Sequence, residues 1–200
     1  MTRDRRILFF GDSFVAGVGD PTGLGWVGRV VAASFAAGRP LTSYNLGVRR
    51  DTSADVAARW RAEAQARTNA PEATYGVVLA VGTNDATQED GRVRVDPGLA
   101  VDNLARMIDA ARATGLDALV VGPPPAGEAG HDERVCALSD RFAHVACERE
   151  VAFIETVRPL RAAPAWTRET AAGDGSHPAA AGYAELAEIV LRGGWLEWLG

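Results

Sequence analysis

Residues 7–14 read ILFFGDSF, a short apolar run that ends in a glycine and a polar turn. The run at 7–10 predicts a buried strand. Similar runs, rich in β-branched or aromatic residues, predict four more strands, at 41–46, 75–81, 118–121 and 151–154. Segments with helical spacing lie between and after these strands, at 25–37, 53–66, 97–113, 132–149 and 178–191. Because the crossover between two parallel strands usually contains a helix, this alternation predicts an α/β fold.

The expected architecture is a three-layer α/β/α sandwich built on a flavodoxin-like sheet of five parallel strands. No internal repeat or low-complexity linker divides the 200 residues, so we expect one domain, 1–200. In such sheets, ligands bind at the carboxyl ends of the strands. The loops that follow the strands are therefore the place to look for functional residues.

The overall charge argues against two classes of partner. The chain has 21 basic residues, all arginine, and 26 acidic ones, for a net charge of −5, and neither sign forms a long block. We therefore expect neither nucleic-acid binding nor attachment to a membrane surface. The apolar run after MTRDRR is shorter than the roughly 7–15 residues of a signal-peptide core or the about 20 of a membrane helix. A cytoplasmic protein without membrane insertion is expected, unless a leader has been removed.

The two cysteines, Cys136 and Cys147, fall in one predicted helix. That helix would hold their Cα atoms about 16 Å apart, whereas a disulfide needs less than about 7 Å. We expect two free and mostly buried thiols. Neither cysteine has a second Cys or a His at the spacing of a tetrahedral zinc site, so no structural metal is expected.

Three residues can supply the parts of a nucleophilic catalyst. A serine hydroxyl needs a base to take its proton, and the base needs a carboxylate that fixes its tautomer. Ser13 follows the first strand, and Asp174 and His177 stand three residues apart in one loop. The carboxylate could reach Nδ1 of the imidazole, which leaves Nε2 facing the serine. Pro178 is predicted at the first helical position, where it would hold His177 at the helix entrance.

Acyl transfer also requires donors aimed at the oxyanion that forms on the carbonyl. Three candidates lie at strand ends: the backbone N–H groups of Ser13 and Gly47 and the side-chain amide of Asn84. Gly47 has no side chain, so its backbone is expected to approach the substrate closely.

Four sequence blocks support the same interpretation, and each lies on a loop at a predicted strand end or helix start. They are GDSF at 11–14, NLG at 45–47, GTND at 82–85 and DGSHP at 174–178. Each block alone is a weak signal, but all four occur in one order across nearly the whole chain. Together they resemble the signature blocks of the SGNH hydrolase superfamily, the GDSL-like lipases and acylhydrolases.

This resemblance implies a role for each matching residue. Ser13 would be the nucleophile, His177 the base and Asp174 the acid that orients it. Gly47 and Asn84, with the Ser13 amide, would form the oxyanion hole. The implied enzyme is a serine esterase that hydrolyses carboxylic esters through an acyl-enzyme, needs no metal or organic cofactor, and shares the fold expected from the periodicity.

Several polar residues near these blocks have structural explanations. Asp12 is expected to hydrogen-bond loop amides and hold the serine turn, and Asp85 to be a structural partner of neighbouring loops. Arg49 and Arg50 could bind an acidic group of the substrate, although a solvated or salt-bridged pair is more common.

The other two histidines, His131 and His144, have no carboxylate in the D-x-x-H arrangement. We therefore expect surface or capping histidines at both positions.

The substrate stays open at this stage. The loops between the blocks are short and leave no room for a lid domain, so we expect an open, shallow cleft, a small-molecule ester with a short acyl group, and a monomer or homodimer. Thioesterase and lysophospholipase activities are alternatives. A carbohydrate O-deacetylase is another, with Trp26 and Trp166 as candidate sugar contacts.

The sequence lacks the signature features of two other classes of protein. A non-catalytic, flavodoxin-like binding module would carry a phosphate cradle after the first strand, but GDSFVAGVGD at 11–20 has no P-loop lysine. An α/β-hydrolase would carry a G-x-S-x-G elbow, which the sequence lacks.

Overall fold

The strands follow the predicted order along the chain. A computed structural model describes residues 4–200; the first three residues of the predicted domain and of the MTRDRR start lie outside the described residues. The strands are β1 (Arg5–Gly11), β2 (Thr42–Gly47), β3 (Thr74–Ala80), β4 (Gln88–Glu89), β5 (Arg92–Val93), β6 (Asp117–Val121) and β7 (Ala152–Ile154). Five of them form one parallel sheet in the order β2-β1-β3-β6-β7, while β4 and β5 form a separate antiparallel hairpin.

Helices connect these strands. They are α1 (Ser13–Ala16), α2 (Gly25–Ala36), α3 (Ser53–Gln65), α4 (Pro97–Ala113), α5 (Ala129–Glu148), α6 (Val157–Arg161), α7 (Pro164–Ala172), α8 (Ala180–Val190) and α9 (Leu196–Leu199), with a π-helical turn at Leu191–Trp195 before α9. None of the helices in residues 4–200 is long and apolar enough to cross a membrane.

The side chains of β1, an interior strand of the sheet, alternate between two cores. Ile7 and Phe9 pack with α2 and α8 on one face of the sheet. Leu8 and Phe10 pack with α3, α4 and α5 on the other face. Since β1 is buried on both faces, it reads as a continuous apolar run, as central parallel strands do. The predicted three-layer α/β/α architecture with five parallel strands is confirmed.

The predicted helix starts differ from the observed ones at two places. Helix α5 begins three residues before the predicted 132, because the Glu128 carboxylate caps it by accepting hydrogen bonds from the amides of Gly130 and His131. The last long helix begins at Ala180, so the placement of Pro178 at its first position was wrong. Pro178 lies two residues before the first helical residue.

The cysteines are both free and both on α5, as predicted, but the expectation that they are mostly buried was wrong. Cys136 is half-buried and Cys147 is exposed. Cys147 stands in the last turn of α5, on the side of the helix that faces away from the sheet.

Candidate active site

The candidate nucleophile sits on a tight turn between β1 and α1. Asp12 precedes Ser13, and its Oδ1 atom accepts a hydrogen bond of 2.9 Å from the Phe14 amide. This side chain caps α1, so the prediction that Asp12 holds the serine turn is confirmed. Only 5% of Ser13 is exposed. The turn therefore presents a hydroxyl in a largely desolvated position at the carboxyl edge of the sheet.

Ser13, His177 and Asp174 form a continuous hydrogen-bonded chain. Ser13 Oγ lies 2.8 Å from His177 Nε2, and His177 Nδ1 lies 2.7 Å from Asp174 Oδ2. The ring of Phe14 packs against the imidazole at a centroid distance of 4.9 Å. Ser13 thus meets two residues that are more than 160 positions away in the sequence. As the D-x-x-H spacing predicted, Nδ1 of the imidazole faces the carboxylate and Nε2 faces the serine.

The Asp174 carboxylate is fixed by its own loop. Its Oδ1 atom accepts hydrogen bonds from the backbone amides of Ser176 at 2.9 Å and His177 at 2.8 Å. Partial burial raises the pKa of Asp174, but the hydrogen bonds from the His177 amide and imidazole and from the Ser176 amide outweigh it and lower the pKa to about 2. The carboxylate is therefore ionised at every pH where an esterase would be assayed.

The backbone of Gly47, which was expected to approach the substrate, is instead engaged within the protein. Its N–H donates to Asn45 Oδ1 at 3.1 Å. A Cβ atom at this position would lie 2.3 Å from the Ala16 amide nitrogen and 2.7 Å from the Asp12 carbonyl oxygen. The space beside Gly47 is thus filled by the backbone of α1, and a glycine is needed there so that the helix carrying the serine can pack against the end of β2.

Asn45 is a structural residue that the sequence analysis missed. Its Nδ2 atom donates to the Val15 carbonyl oxygen at 2.7 Å while its Oδ1 atom accepts from Gly47. One side chain thereby ties α1 to β2. The signal was present, since Asn45 opens the NLG block, but the block was interpreted through its glycine alone.

Asn84 lies beside the nucleophile turn. Its Nδ2 atom donates to Asp12 Oδ2 at 3.0 Å and to the Asp51 carbonyl oxygen at 3.1 Å. The amide is therefore held between the loop that carries Ser13 and the loop that follows β2. The neighbouring Asp85 accepts hydrogen bonds from the amide and the hydroxyl of Ser53 at the start of α3, which confirms its predicted structural role.

The two arginines after Gly47 differ in their contacts. Arg50 forms an ion pair of 2.7 Å with Glu89 on the β4–β5 hairpin, which is the salt-bridged alternative considered for this position. Arg50 also has a left-handed backbone, with φ 68°, and within residues 4–200 its amide donates to no acceptor. Arg49 is exposed and makes no hydrogen bond or ion pair with another described residue. Of these two arginines, Arg49 is the one whose guanidinium has no partner within residues 4–200 and can meet an acidic group.

The expectation for the other two histidines holds at one position. His144 is exposed and lies 3.1 Å from Glu148 on the same helix. His131, in contrast, is buried, and its Nε2 atom lies 2.9 Å from the Thr83 carbonyl oxygen. The earlier start of α5 turns His131 toward the GTND loop, so its assignment to the surface was wrong.

The two tryptophans considered as sugar contacts are core residues. Trp26 and Trp166 are each 1% exposed. Trp26 packs edge-on against Phe9, and Trp166 stacks on Phe14 at a centroid distance of 5.8 Å. Because both rings are buried in the core, neither can serve as a stacking platform for a ligand.

A comparison with known protein families identifies the family of this chain. The model of the GDSL-like lipase/acylhydrolase family matches residues 9–185, which spans every element from β1 into α8. The chain belongs to this family. Membership in the GDSL-like family supports an esterase or acylhydrolase activity and leaves the substrate open. No curated protein matches the sequence significantly.

Solved structures share the fold of this GDSL-like chain at low sequence identity. A lipase/acylhydrolase from Enterococcus faecalis superposes with a TM-score of 0.76 at 24% identity, covering 94% of each chain. An acetylxylan esterase from Geobacillus stearothermophilus superposes with a TM-score of 0.75 at 21% identity, covering 99% of this chain and 98% of the other. At these identities the likeness shows the fold, including the five-stranded parallel sheet.

Burial disfavours the charged form of the Asp12 carboxyl group. It is 2% exposed, and no arginine of the described residues pairs with it. Burial, together with the charges of Asp85 and Asp51, outweighs the hydrogen bond from the Phe14 amide and raises the pKa of its carboxyl group to about 7. Because the folded protein holds this proton more tightly than the unfolded chain, raising the pH from about 4 to about 7 should lower stability.

We therefore expect Asp12→Asn to stabilise the protein above pH 7 and not near pH 4. A pKa raised to about 7 from 3.8 corresponds to at most about 4 kcal/mol, part of which is lost because an amide cannot accept from Asn84 at Oδ2. The measurement is the free energy of unfolding by urea at pH 4, 6 and 8. Asp102→Asn, at an exposed carboxylate on α4, is the control. An equal effect of Asp12→Asn at pH 4 and pH 8 would contradict the assignment.

Proposed function

We propose that this protein is a serine esterase that hydrolyses small or short-acyl carboxylic esters, with Ser13 as nucleophile, His177 as base and Asp174 as its orienting acid. The observation that supports this proposal most directly is the chain of two hydrogen bonds, 2.8 Å from Ser13 Oγ to His177 Nε2 and 2.7 Å from His177 Nδ1 to Asp174 Oδ2. It contains the nucleophile, base and orienting acid of a catalytic triad in the required sequence.

In the acylation step, Ser13 Oγ attacks the ester carbonyl carbon and its proton passes to His177 Nε2. The resulting imidazolium is stabilised by the ionised Asp174 carboxylate at Nδ1. The tetrahedral intermediate then collapses, the bond to the alcohol oxygen breaks, and His177 returns its proton to that oxygen. The acyl group remains on Ser13.

Deacylation repeats the same steps with water. His177 takes a proton from the water as its oxygen attacks the acyl carbon, and it then protonates Ser13 Oγ as the acid leaves. Each proton moves through Nε2, so the imidazole must be neutral at the start of each half-reaction.

The oxyanion would be held by the Ser13 amide and the Asn84 side chain. Within residues 4–200 the Ser13 N–H has no acceptor, which leaves it free for the substrate oxygen. Asn84 would exchange its hydrogen bond to the Asp51 carbonyl for one to the oxyanion while keeping Asp12. A third donor could be Gly47, if its amide left Asn45, or Arg50, whose amide is unengaged and lies on the same loop as Asp51.

Acetylated carbohydrates are a second candidate substrate class within the same chemistry. The observation that favours them is the shared fold with an acetylxylan esterase over nearly the full length of both chains. Thioesters and lysophospholipids would use the same triad. The partner in each case is a small molecule, and no step of the mechanism requires a metal or an organic cofactor.

The test combines turnover with active-site labelling. The protein is assayed with p-nitrophenyl acetate, butyrate and octanoate, and in parallel treated with a fluorophosphonate that phosphonylates activated serines. We expect hydrolysis of the short esters and a single adduct on the peptide that contains Ser13. An adduct on another serine would remove Ser13 from its role. Absence of both hydrolysis and labelling would favour a non-catalytic binding module.

A further inference from the structure

The Arg59 side chain, on α3, contacts three segments that border the candidate active site. Its Nη2 atom donates to the Leu46 carbonyl oxygen at 2.8 Å and to the Gly11 carbonyl oxygen at 3.2 Å. Its Nε atom donates to Asp51 Oδ2 at 2.7 Å. Gly11 ends β1, and Leu46 is the last residue but one of β2. One guanidinium thus joins the carboxyl ends of two neighbouring strands to the loop that follows β2.

This guanidinium is largely buried and has several partners. Only 21% of the Arg59 side chain and 13% of the Asp51 side chain are exposed. The Nη1 atom donates to Glu63 Oε1 at 2.8 Å, one turn further along α3, and Cζ lies 5.7 Å from the centroid of the Phe10 ring. All three nitrogens therefore donate to acceptors in different directions. A lysine ammonium has its three donors on a single nitrogen and cannot reach the same set of acceptors.

The contact with Leu46 bears on the direction of the Gly47 N–H, one of the two candidates for the third oxyanion donor. The Leu46 carbonyl and the Gly47 N–H belong to one planar peptide group, so a hydrogen bond that fixes the carbonyl also fixes the N–H. A hydrogen bond from a cation to the carbonyl also polarises the peptide group, which strengthens its N–H as a donor. Arg59 can therefore both aim this donor and strengthen it.

The other two contacts of the guanidinium bear on the remaining donors. Gly11 stands two residues before Ser13, so its carbonyl lies where the chain leaves β1 for the nucleophile turn. The Asp51 carbonyl oxygen accepts a hydrogen bond of 3.1 Å from Asn84 Nδ2. Asp51 also follows directly after Arg50, whose amide is the other candidate for the third donor. Holding the Asp51 side chain therefore holds the backbone that binds the Asn84 amide.

We propose that Arg59 is a positioning residue of the esterase, whose guanidinium keeps the nucleophile turn and the oxyanion donors at the spacing that the tetrahedral intermediate requires. This inference rests on the proposed function. Arg59 acts through the three segments that it joins and does not touch the substrate. Since a misplacement of about 1 Å can lower a rate about a hundredfold, a looser arrangement of these donors should be costly. The donors bind the oxyanion in the transition state, so Arg59 should affect kcat more than KM.

The substitution that tests this role is Arg59→Lys, which keeps the positive charge and removes the three-way arrangement of donors. Its matched control is Arg61→Lys on the same helix, where the arginine is exposed and lies over the Trp60 ring. We expect Arg59→Lys to lower kcat for p-nitrophenyl acetate at least about tenfold and to leave KM within about twofold of the wild-type value. Arg61→Lys should change neither constant.

Fluorophosphonate labelling separates a positioning role from a loss of folded protein. The fraction of Ser13 that is phosphonylated at completion counts the competent sites, whereas the rate constant of labelling reports how well each site stabilises the charged oxygen on phosphorus. We expect Arg59→Lys to be labelled completely but at least about tenfold more slowly than the wild type. A smaller labelled fraction with an unchanged rate constant would give Arg59 a structural role only and overturn the inference, as would a wild-type kcat.

Asp51→Ala decides the question if Arg59→Lys does not fold. It removes the ion pair from the side of the loop and leaves both carbonyl contacts of Arg59 in place. The rate constant of labelling should fall while labelling still goes to completion, and a wild-type rate constant would overturn the inference. If the wild type neither hydrolyses the ester nor is labelled, the proposed function fails and the inference fails with it. An active wild type with an equally active Arg59→Lys overturns the inference alone.

Discussion

Replacing Ser13 by alanine should abolish ester hydrolysis while leaving the fold intact. The hydroxyl makes one hydrogen bond, to His177 Nε2, and its site is already nearly closed to solvent, so the smaller side chain fits without rearrangement. Loss of the nucleophile in serine hydrolases lowers kcat by roughly 10⁶-fold, because no acyl-enzyme can form. The measurement is kcat for p-nitrophenyl acetate at saturating substrate, with the thermal unfolding midpoint as the check on folding.

Ser176 provides a matched control for this substitution. It lies in the same catalytic loop as His177, and its backbone amide, not its hydroxyl, binds Asp174. Ser176→Ala should therefore keep most of the wild-type activity. If Ser13→Ala retained a tenth of the wild-type kcat, another residue would have to be the nucleophile.

The second large effect is expected from Asp174→Asn. The carboxylate accepts a hydrogen bond from His177 Nδ1, and this leaves Nε2 unprotonated toward Ser13. An amide that points its NH₂ group at Nδ1 favours the opposite tautomer, in which Nε2 carries the proton and cannot act as a base. The same change in a serine protease lowers kcat about 10⁴-fold, and we expect a loss of roughly 10³–10⁴-fold here, since Asp174 is half-exposed and water can partly replace it.

The outcome can be separated from a folding defect. Asp174 also accepts two backbone amides through Oδ1, and an asparagine oxygen can keep both of these hydrogen bonds. The thermal unfolding midpoint should therefore change little. The substitution should lower kcat strongly and leave KM near its wild-type value. A decrease in kcat of less than tenfold would show that His177 is oriented by other contacts.

The lowered pKa of Asp174 and the raised pKa of Asp12 affect the pH dependence of activity differently. Asp174 stays ionised down to a pH of about 2, so its protonation cannot cause a loss of activity between pH 4 and 8. Asp12 titrates near pH 7 and holds Asn84 through Oδ2. A change in activity near neutral pH that disappears in Asp12→Asn is therefore caused by Asp12, since this substitution leaves the triad residues unchanged.

The order and type of the main elements could be predicted from the sequence alone. The three interior strands β1, β3 and β6 are buried on both faces, so their apolar runs are visible without knowing their neighbours. The pairing of Asp174 with His177 could also be predicted, because a separation of three residues within one loop limits which imidazole nitrogen the carboxylate can reach. The interpretation of Ser13 as the candidate nucleophile followed from the GDSF block and from its position after β1.

What the sequence determined by itself is thus local: periodicity, turn chemistry and the residue types available at strand ends. Only the tertiary structure decided which groups are engaged and which are free. The amide of Gly47 is taken by Asn45, Arg50 is paired with Glu89, and His131 is buried against the GTND loop. Such contacts join segments that are distant in sequence or depend on one side chain's orientation, so they follow from the packing of helices on the sheet, which no single segment encodes.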